Sequence, residues 1–191
     1  RPRVWYHVMD AYAQLGDTKS LVKCFEQLCQ VMKPNHLSYK VLMNGLSLND
    51  DVNGMLHVFE QMKVNKVLVS SSIYSVLISA FRRKEHRKHL MEAFLDMRKL
   101  NIVPTQEVYR SLLRSFAAME DISSLKKVFA EMSVRMRPTP DTYERMFRAL
   151  GKQTVELDHD SQAEQVSRGN PNLEYIMELY EHMKKYCSRI S

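Results

Sequence analysis

Glycine and cysteine are scarce in this chain, and each shortage excludes a class of function. The 191 residues include five glycines, and none of them forms a glycine-rich loop that could cradle a nucleotide phosphate. The three cysteines, Cys24, Cys29 and Cys187, are odd in number and irregularly spaced. This argues against a disulfide framework or a zinc site and suggests a reducing compartment. We expect no metal, no cofactor and no small-molecule substrate.

Long apolar runs and strand-like patterns are also missing. No stretch approaches 18 consecutive apolar residues, so we expect no membrane span. No segment alternates apolar and polar residues convincingly enough for a β-strand, which indicates an all-α chain. The net charge of +6 and the pI near 9.2 suit a polyanionic partner without demanding one.

What the chain does have is a repeat of about 35 residues. An aromatic residue marks each copy: Trp5, Tyr39, Tyr74, Tyr109 and Tyr143. A second aromatic row follows the first four by about twenty residues: Phe25, Phe59, Phe94 and Phe129. A fixed period of this size is typical of a stacked solenoid, so function is expected on an extended face and not in a deep pocket.

Each repeat is predicted to be a pair of helices. Apolar residues recur at i, i+3, i+4 and i+7, as in Tyr39, Leu42, Met43 and Leu46. Prolines mark several of the breaks between units: Pro34, Pro104 and Pro138. The first-helix aromatic residues should be largely buried between helices, not displayed as base-stacking platforms.

We predict a single solenoid of about five repeats, over 1–35, 36–70, 71–105, 106–139 and 140–191. In the fifth repeat the first helix is expected to end near Leu150, and a polar insert at about 153–172 separates it from the second. The composition of the insert favours a solvated or disordered loop over a partner-docking element. Because the chain enters its first helix at once, we expect a truncated or processed protein with any targeting peptide upstream.

Two helical-hairpin families share this period. A tetratricopeptide repeat needs a small residue four positions after its first aromatic, where this chain has large ones: Met9, Met43, Ile78, Leu113 and Phe147. The chain instead resembles the pentatricopeptide repeat, whose motif runs roughly Thr-Tyr-Asn-x-Leu-Ile and then Leu-Phe-x-x-Met. Matching stretches are Ser38-Tyr39-Lys40-Val41-Leu42-Met43 and Val58-Phe59-Glu60-Gln61-Met62. The resemblance covers nearly the whole chain except the insert.

The resemblance implies an all-α, right-handed α-solenoid of stacked helix-turn-helix repeats that binds RNA in an organelle. The family reads single-stranded RNA at one base per repeat. The readers are the residue after the first-helix tyrosine and the last residue of the repeat. Carried over, these are Tyr6 with Asn35, Lys40 with Ser70, Ser75 with Thr105, Arg110 with Thr139, and Glu144. Lys40, Arg110 and Glu144 are long and charged, which argues against base-specific decoding.

A basic row is predicted on the same face, one or two helical turns after the reading positions. It comprises Ser79, Arg82, Arg83, Arg114, Arg148 and Lys152. Such a row could hold the RNA backbone by charge, with an affinity that falls as salt rises. A solvated helix face explains the same residues, and acidic side chains interrupt the row: Asp10, Glu107, Asp141 and Glu144.

Three other signals are set aside. His86 and His89 have the spacing of two helical metal ligands, but they lie in a strongly cationic segment without a third ligand, which favours a basic turn. Asp158-His159-Asp160 has metal-type residues without a defined geometry. The deaminase signature that some family members carry is absent, and no acidic cluster suggests a nuclease. We therefore expect no enzyme.

The leading hypothesis is a non-catalytic subunit of an organellar ribonucleoprotein that contacts RNA backbone and protein neighbours. The mitochondrial ribosome or its assembly particle is the specific expectation, with ribosomal RNA as partner and the chloroplast as the alternative compartment. Two other functions stay open: a sequence-specific RNA processing or stability factor, and a protein-binding adaptor with little RNA contact.

Overall fold

The computed structural model describes residues 2–160 and 171–187, and this part of the chain is built from helix pairs without a β-strand. The first helices of the repeats are α1 (Pro2–Gln14), α3 (His36–Leu48), α5 (Ser71–Ala80), α7 (Gln106–Ala118) and α9 (Pro140–Asp160). The second helices are α2 (Thr18–Val31), α4 (Val52–Val64), α6 (Arg87–Lys99), α8 (Ile122–Arg135) and α10 (Pro171–Cys187). The all-α prediction of stacked helix-turn-helix repeats is confirmed.

An aspartate starts the second helix in three of the repeats. Asp17, Asp51 and Asp121 each accept a hydrogen bond from the backbone N–H three residues later, at 2.9, 2.8 and 3.0 Å. A carboxylate there satisfies an amide that has no partner within the helix. In repeat three His86 stands in this place without a side-chain cap, after a short 3-10 turn over Lys84–His86.

The chain forms two compact units, Arg1–Ser111 and Leu112–Ser191, whose boundary falls inside α7. In the first unit α1, α3 and α5 form a row in which each helix packs on the next, and each also packs on the second helix of its own repeat. In the second unit α9 packs on α8 and α10.

The core consists of the two aromatic rows and the aliphatic residues between them. Four tyrosines are at most 1% exposed: Tyr39, Tyr74, Tyr109 and Tyr143. Phenylalanine rings of the preceding second helices meet three of them edge-on, at centroid distances of 5.2 Å (Phe25–Tyr39), 5.7 Å (Phe59–Tyr74) and 5.7 Å (Phe129–Tyr143). The predicted burial holds for these tyrosines. Trp5 is only half-buried, because no described helix covers α1 from the other side.

The predicted end of the first helix in repeat five was wrong. α9 continues from Pro140 to Asp160, ten residues past Leu150. Residues 152–157 include lysine, glutamine, glutamate and leucine, which extend a helix readily. The insert therefore begins as helix and not as a loop. Residues 161–170 lie outside the described residues, as do the side chains of Asp158-His159-Asp160 and Cys187.

Candidate nucleic-acid interface

The first-helix tyrosines are held inside the repeats by their hydroxyl groups as well as by their rings. Asn65 Nδ2 donates a hydrogen bond to Tyr39 Oη at 2.7 Å, and Tyr74 Oη donates one to Asp96 Oδ2 at 2.7 Å. Burial and the neighbouring Asp96 raise the pKa of Tyr74. The residues that follow these tyrosines are therefore carried on rigid helices, and the tyrosines themselves offer no ring to a base.

The predicted reading pair of repeat one is brought together. Tyr6 Oη lies 3.5 Å from Asn35 Oδ1 and 3.2 Å from Ser38 Oγ. Asn35 also caps α3, because its Oδ1 accepts hydrogen bonds from the backbone N–H groups of Leu37 and Ser38 at 3.0 and 3.1 Å. The carbonyl oxygen of Asn35 is thus committed to the cap, and its amide nitrogen is the group available to a ligand.

The readers of repeats two and three are less accessible. Ser75 is only 7% exposed, and the exposed Thr105 accepts a hydrogen bond from Ser71 Oγ at 3.1 Å, one turn before Ser75. Lys40 is half-buried, and Ser70 Oγ is 2.9 Å from Ser72 Oγ at the start of α5. The hydroxyls presented at this point are those of Ser71 and Thr105.

The predicted reading residues of repeats four and five differ in their exposure and in the partners that their side chains contact. Arg110 is exposed on α7, whereas Thr139 is half-buried with its Oγ1 3.0 Å from that of Thr142. Glu144 forms an ion pair with Arg148 one turn along α9, and both side chains are exposed. Arg148, predicted as a backbone-binding residue, is therefore already paired with a carboxylate.

The predicted basic row is broken in repeat three. α5 ends at Ala80, so Arg82 and Arg83 lie beyond the helix and do not continue its face as expected. Arg83 forms an ion pair with Asp50 and lies 3.6 Å from Glu85. Ser79 is half-buried, and its hydroxyl donates to the Val76 carbonyl at 2.9 Å. The helix stops early because Phe81, fully buried, turns the chain into the core.

Two of the predicted cations remain available on α7: Arg110 and Arg114, which are exposed one turn apart. Neither has a carboxylate partner within residues 2–160 and 171–187. Lys152 is also exposed, on the extended part of α9. This spacing suits contact with phosphates of an RNA backbone.

Sequence reasoning missed Ser38 and Ser71, which touch Tyr6 and Thr105. The signal for Ser38 was present, because Asn35-x-x-Ser38 is a capping-box pattern that fixes the asparagine at a helix start. The contact of Ser71 with Thr105 joins residues 34 positions apart, and no local pattern encodes it.

The part of the chain that the structure describes holds no group of three or more histidine, cysteine or acidic side chains that could bind a metal. The rings of His86 and His89 lie 6.5 Å apart beside Phe81. Among the described helices, none is both long and apolar enough to cross a membrane.

Comparison with known proteins gives a family match and several structural neighbours. A family model described as the pentacotripeptide-repeat region of PRORP matches residues 29–179. No curated protein matches the chain. The structure of PPR10 from maize with an 18-nt psaJ RNA element has a TM-score of 0.71 at 17% identity, over 97% of this chain and 28% of that one.

Two protein-only RNase P structures of Arabidopsis thaliana are also similar. Nuclear PRORP2 has a TM-score of 0.68 at 7% identity, over 97% of this chain and 38% of that one. The pentatricopeptide repeat domain of PRORP1 in complex with tRNA has a TM-score of 0.60 at 17% identity, over 92% of this chain and 96% of the domain. The chain thus spans well under half the length of PPR10 and PRORP2, and the likeness at these identities is one of fold.

Proposed function

Since this chain belongs to the pentatricopeptide repeat family, we propose that it binds RNA through side chains of its first helices, as a non-catalytic subunit of an organellar ribonucleoprotein. The observation that carries the proposal is the pair Arg110 and Arg114. These two arginines are exposed at and after a reading position, on a helix whose tyrosine is buried.

The proposed mode of binding is contact with the backbone. Phosphates would approach the guanidinium groups of α7, and the affinity would come from the release of counterions. Bases would receive few hydrogen bonds. The donors at hand are the Asn35 amide and the Thr105 hydroxyl, because the hydroxyls of Tyr6 and Ser71 donate to Asn35 Oδ1 and Thr105 Oγ1.

Weak base reading supports a component of a larger particle over a protein that searches for one sequence. We propose that the particle is the mitochondrial ribosome or its assembly intermediate, with ribosomal RNA and protein neighbours as partners, and with the chloroplast as the alternative location. A subunit held by many neighbours tolerates charged residues at reading positions, because its specificity does not depend on them.

A second candidate is an RNA processing or stability factor. The matching family model describes a region of PRORP, and similar structures contain a psaJ RNA element and a tRNA. A third candidate is a protein-binding adaptor. It is favoured by an apolar groove between α9 and α10, lined by Phe147, Ile176, Met177 and Tyr180.

Affinity purification of the tagged full-length protein from isolated mitochondria, with and without nuclease and followed by sedimentation, separates the three functions. Co-migration with ribosomal particles supports the proposed subunit. A light complex that nuclease disperses, with one defined transcript, indicates the processing factor. A light complex that resists nuclease indicates the adaptor and contradicts RNA binding as the main function.

A further inference from the structure

Positive charge is concentrated in one short segment between α5 and α6. Residues 82–89, here named the basic turn, carry five cations, Arg82, Arg83, Lys84, Arg87 and Lys88, and a single acid, Glu85. With neutral histidines its net charge is +4, whereas the whole chain has +6. All five cations are exposed. No eight-residue stretch elsewhere in the sequence has this excess.

The basic turn differs from the corresponding turns of the other repeats by the loss of a carboxylate. Asp17, Asp51 and Asp121 cap the second helices of repeats one, two and four, and His86 stands at that position in repeat three. The substitution removes one negative charge from the turn. The result is a positive turn in a position where the neighbouring repeats carry acids.

The basic turn is held in place by contacts with the core and with the preceding repeat. Phe81 is fully buried, and its ring contacts those of His86 and His89 at centroid distances of 6.2 and 5.8 Å. Arg83 holds the turn to the preceding repeat through its ion pair with Asp50. These contacts fix the backbone of the turn, and Arg82 and Lys88 remain exposed.

Two cations of the basic turn have little or no neutralisation by a nearby carboxylate. Lys88 is 83% exposed and lies 3.9 Å from Glu92, a long contact for an ion pair. Arg82 has no carboxylate partner in the described part of the chain. An exposed pair of this kind contributes little energy, so a stronger anion displaces it readily.

The chemistry of the turn fits phosphates and not a protein surface. The core of a protein interface contains aromatic and apolar anchors. Residues 82–89 expose no apolar side chain, because Phe81 faces inward. We propose that the basic turn is a second RNA-binding surface, which holds the phosphodiester backbone of the RNA outside the first-helix row. This inference rests on the proposed RNA binding and adds a contact beyond the reading positions.

The test measures binding of a fluorescein-labelled 24-nt single-stranded RNA of mixed sequence to the full chain by anisotropy, from 50 to 300 mM KCl. The turn variant is Arg82→Gln, Lys84→Gln, Lys88→Gln. The control variant is Lys19→Gln, Lys23→Gln, Lys127→Gln, which removes the same charge from exposed positions of α2 and α8. Circular dichroism melting verifies that both variants fold.

We expect the turn variant to lower the slope of log K against log salt by about 2, since each lost phosphate contact on a single strand contributes about 0.7. Its Kd at 100 mM KCl should rise at least about tenfold, while the control variant stays within about threefold of the wild type. Equal effects of the two variants would overturn the proposed surface and leave RNA binding by the first helices standing.

Two further outcomes also contradict the proposal. A wild-type chain that does not bind the RNA at 50 mM KCl removes both the second surface and the proposed function. The second outcome is that the wild-type chain binds polyglutamate of equal charge more strongly than RNA, and that the turn variant abolishes this binding. That result indicates an acidic protein partner instead.

Discussion

At the scale of single residues, the aromatic side chains of the second helices differ in how much of their surface is exposed. Phe25, Phe59, Phe94 and Phe129 are 5–6% exposed, whereas Tyr180, at the corresponding position of the fifth repeat, is 47% exposed. Tyrosine suits that position because its hydroxyl remains in water while the ring covers part of α10.

We predict that Phe129→Ala destabilises the chain by about 3–5 kcal/mol, because it leaves a cavity beneath Tyr143. Tyr180→Ala should cost about 1 kcal/mol or less, as expected for a largely exposed side chain. Urea unfolding followed by circular dichroism measures both values. Equal costs for the two variants would show that the face of α10 around Tyr180 is buried in solution.

At the scale of helices, the starts are better determined by the sequence than the ends. Asp17, Asp51 and Asp121 each precede an apolar-periodic segment, and each begins a helix as the capping rule predicts. The end of α5 depends on Phe81 turning into the core. Helix α9 instead continues ten residues past Leu150, although Gly151 is a residue that commonly follows a helix end. Tertiary packing therefore decides where α5 ends. The polar composition of the residues after Leu150 led to the prediction of a loop where α9 continues.

The capping aspartate of α4 provides a direct check. Asp51→Ala should destabilise the chain by about 1 kcal/mol, because the backbone N–H of Gly54 loses its acceptor. Asn53→Ala, an exposed neighbour in the same turn, should change stability by less than about 0.5 kcal/mol. Both are measured by urea unfolding. A negligible effect of Asp51→Ala would mean that water caps the helix equally well.

Helix α10 contacts α9 through a half-buried histidine, His182. His182 Nδ1 lies 2.7 Å from Tyr143 Oη, and burial together with nearby Lys185 lowers the pKa of His182 below 6.5. The unfolded chain then takes up a proton first as the pH falls. The contribution of His182 to stability is complete above pH 6.5 and declines below it, until the folded histidine is protonated as well.

We therefore expect the free energy of unfolding to fall between pH 7.5 and 5.5, and His182→Gln to reduce that fall. His7→Gln, which removes an exposed histidine of α1, serves as the control and should leave the pH dependence unchanged. Urea titrations at the two pH values measure the difference. An identical pH dependence in His182→Gln and the wild type would show that His182 titrates normally in the fold.

At the scale of the whole molecule, the repeat period and its core could be predicted from the sequence, because regular burial needs regular spacing. The candidate interface could be predicted only in part. Tyr6 and Asn35 lie in contact, but Ser75 is buried and Arg148 is paired with Glu144. Rotamers and ion pairs decide which side chains remain available, and the period does not encode them.

RNA binding by the first helices has its own test in α7. Arg110→Gln with Arg114→Gln should lower the slope of log K against log salt by about 1.4 for the same single-stranded RNA, because two phosphate contacts are lost. Lys19→Gln with Lys23→Gln removes equal charge from α2 and should have a much smaller effect. Anisotropy titrations measure both. An unchanged slope in the α7 variant would place the RNA elsewhere on the protein.

Three of the buried tyrosines have hydroxyl partners of different chemistry. Tyr39 meets an amide at Asn65, Tyr74 a carboxylate at Asp96, and Tyr143 an imidazole at His182. Near-identical hairpins in one chain risk exchanging halves during folding. A first helix that docks on the wrong second helix would here bury a mismatched polar group, which disfavours misassembly although the apolar rows are interchangeable.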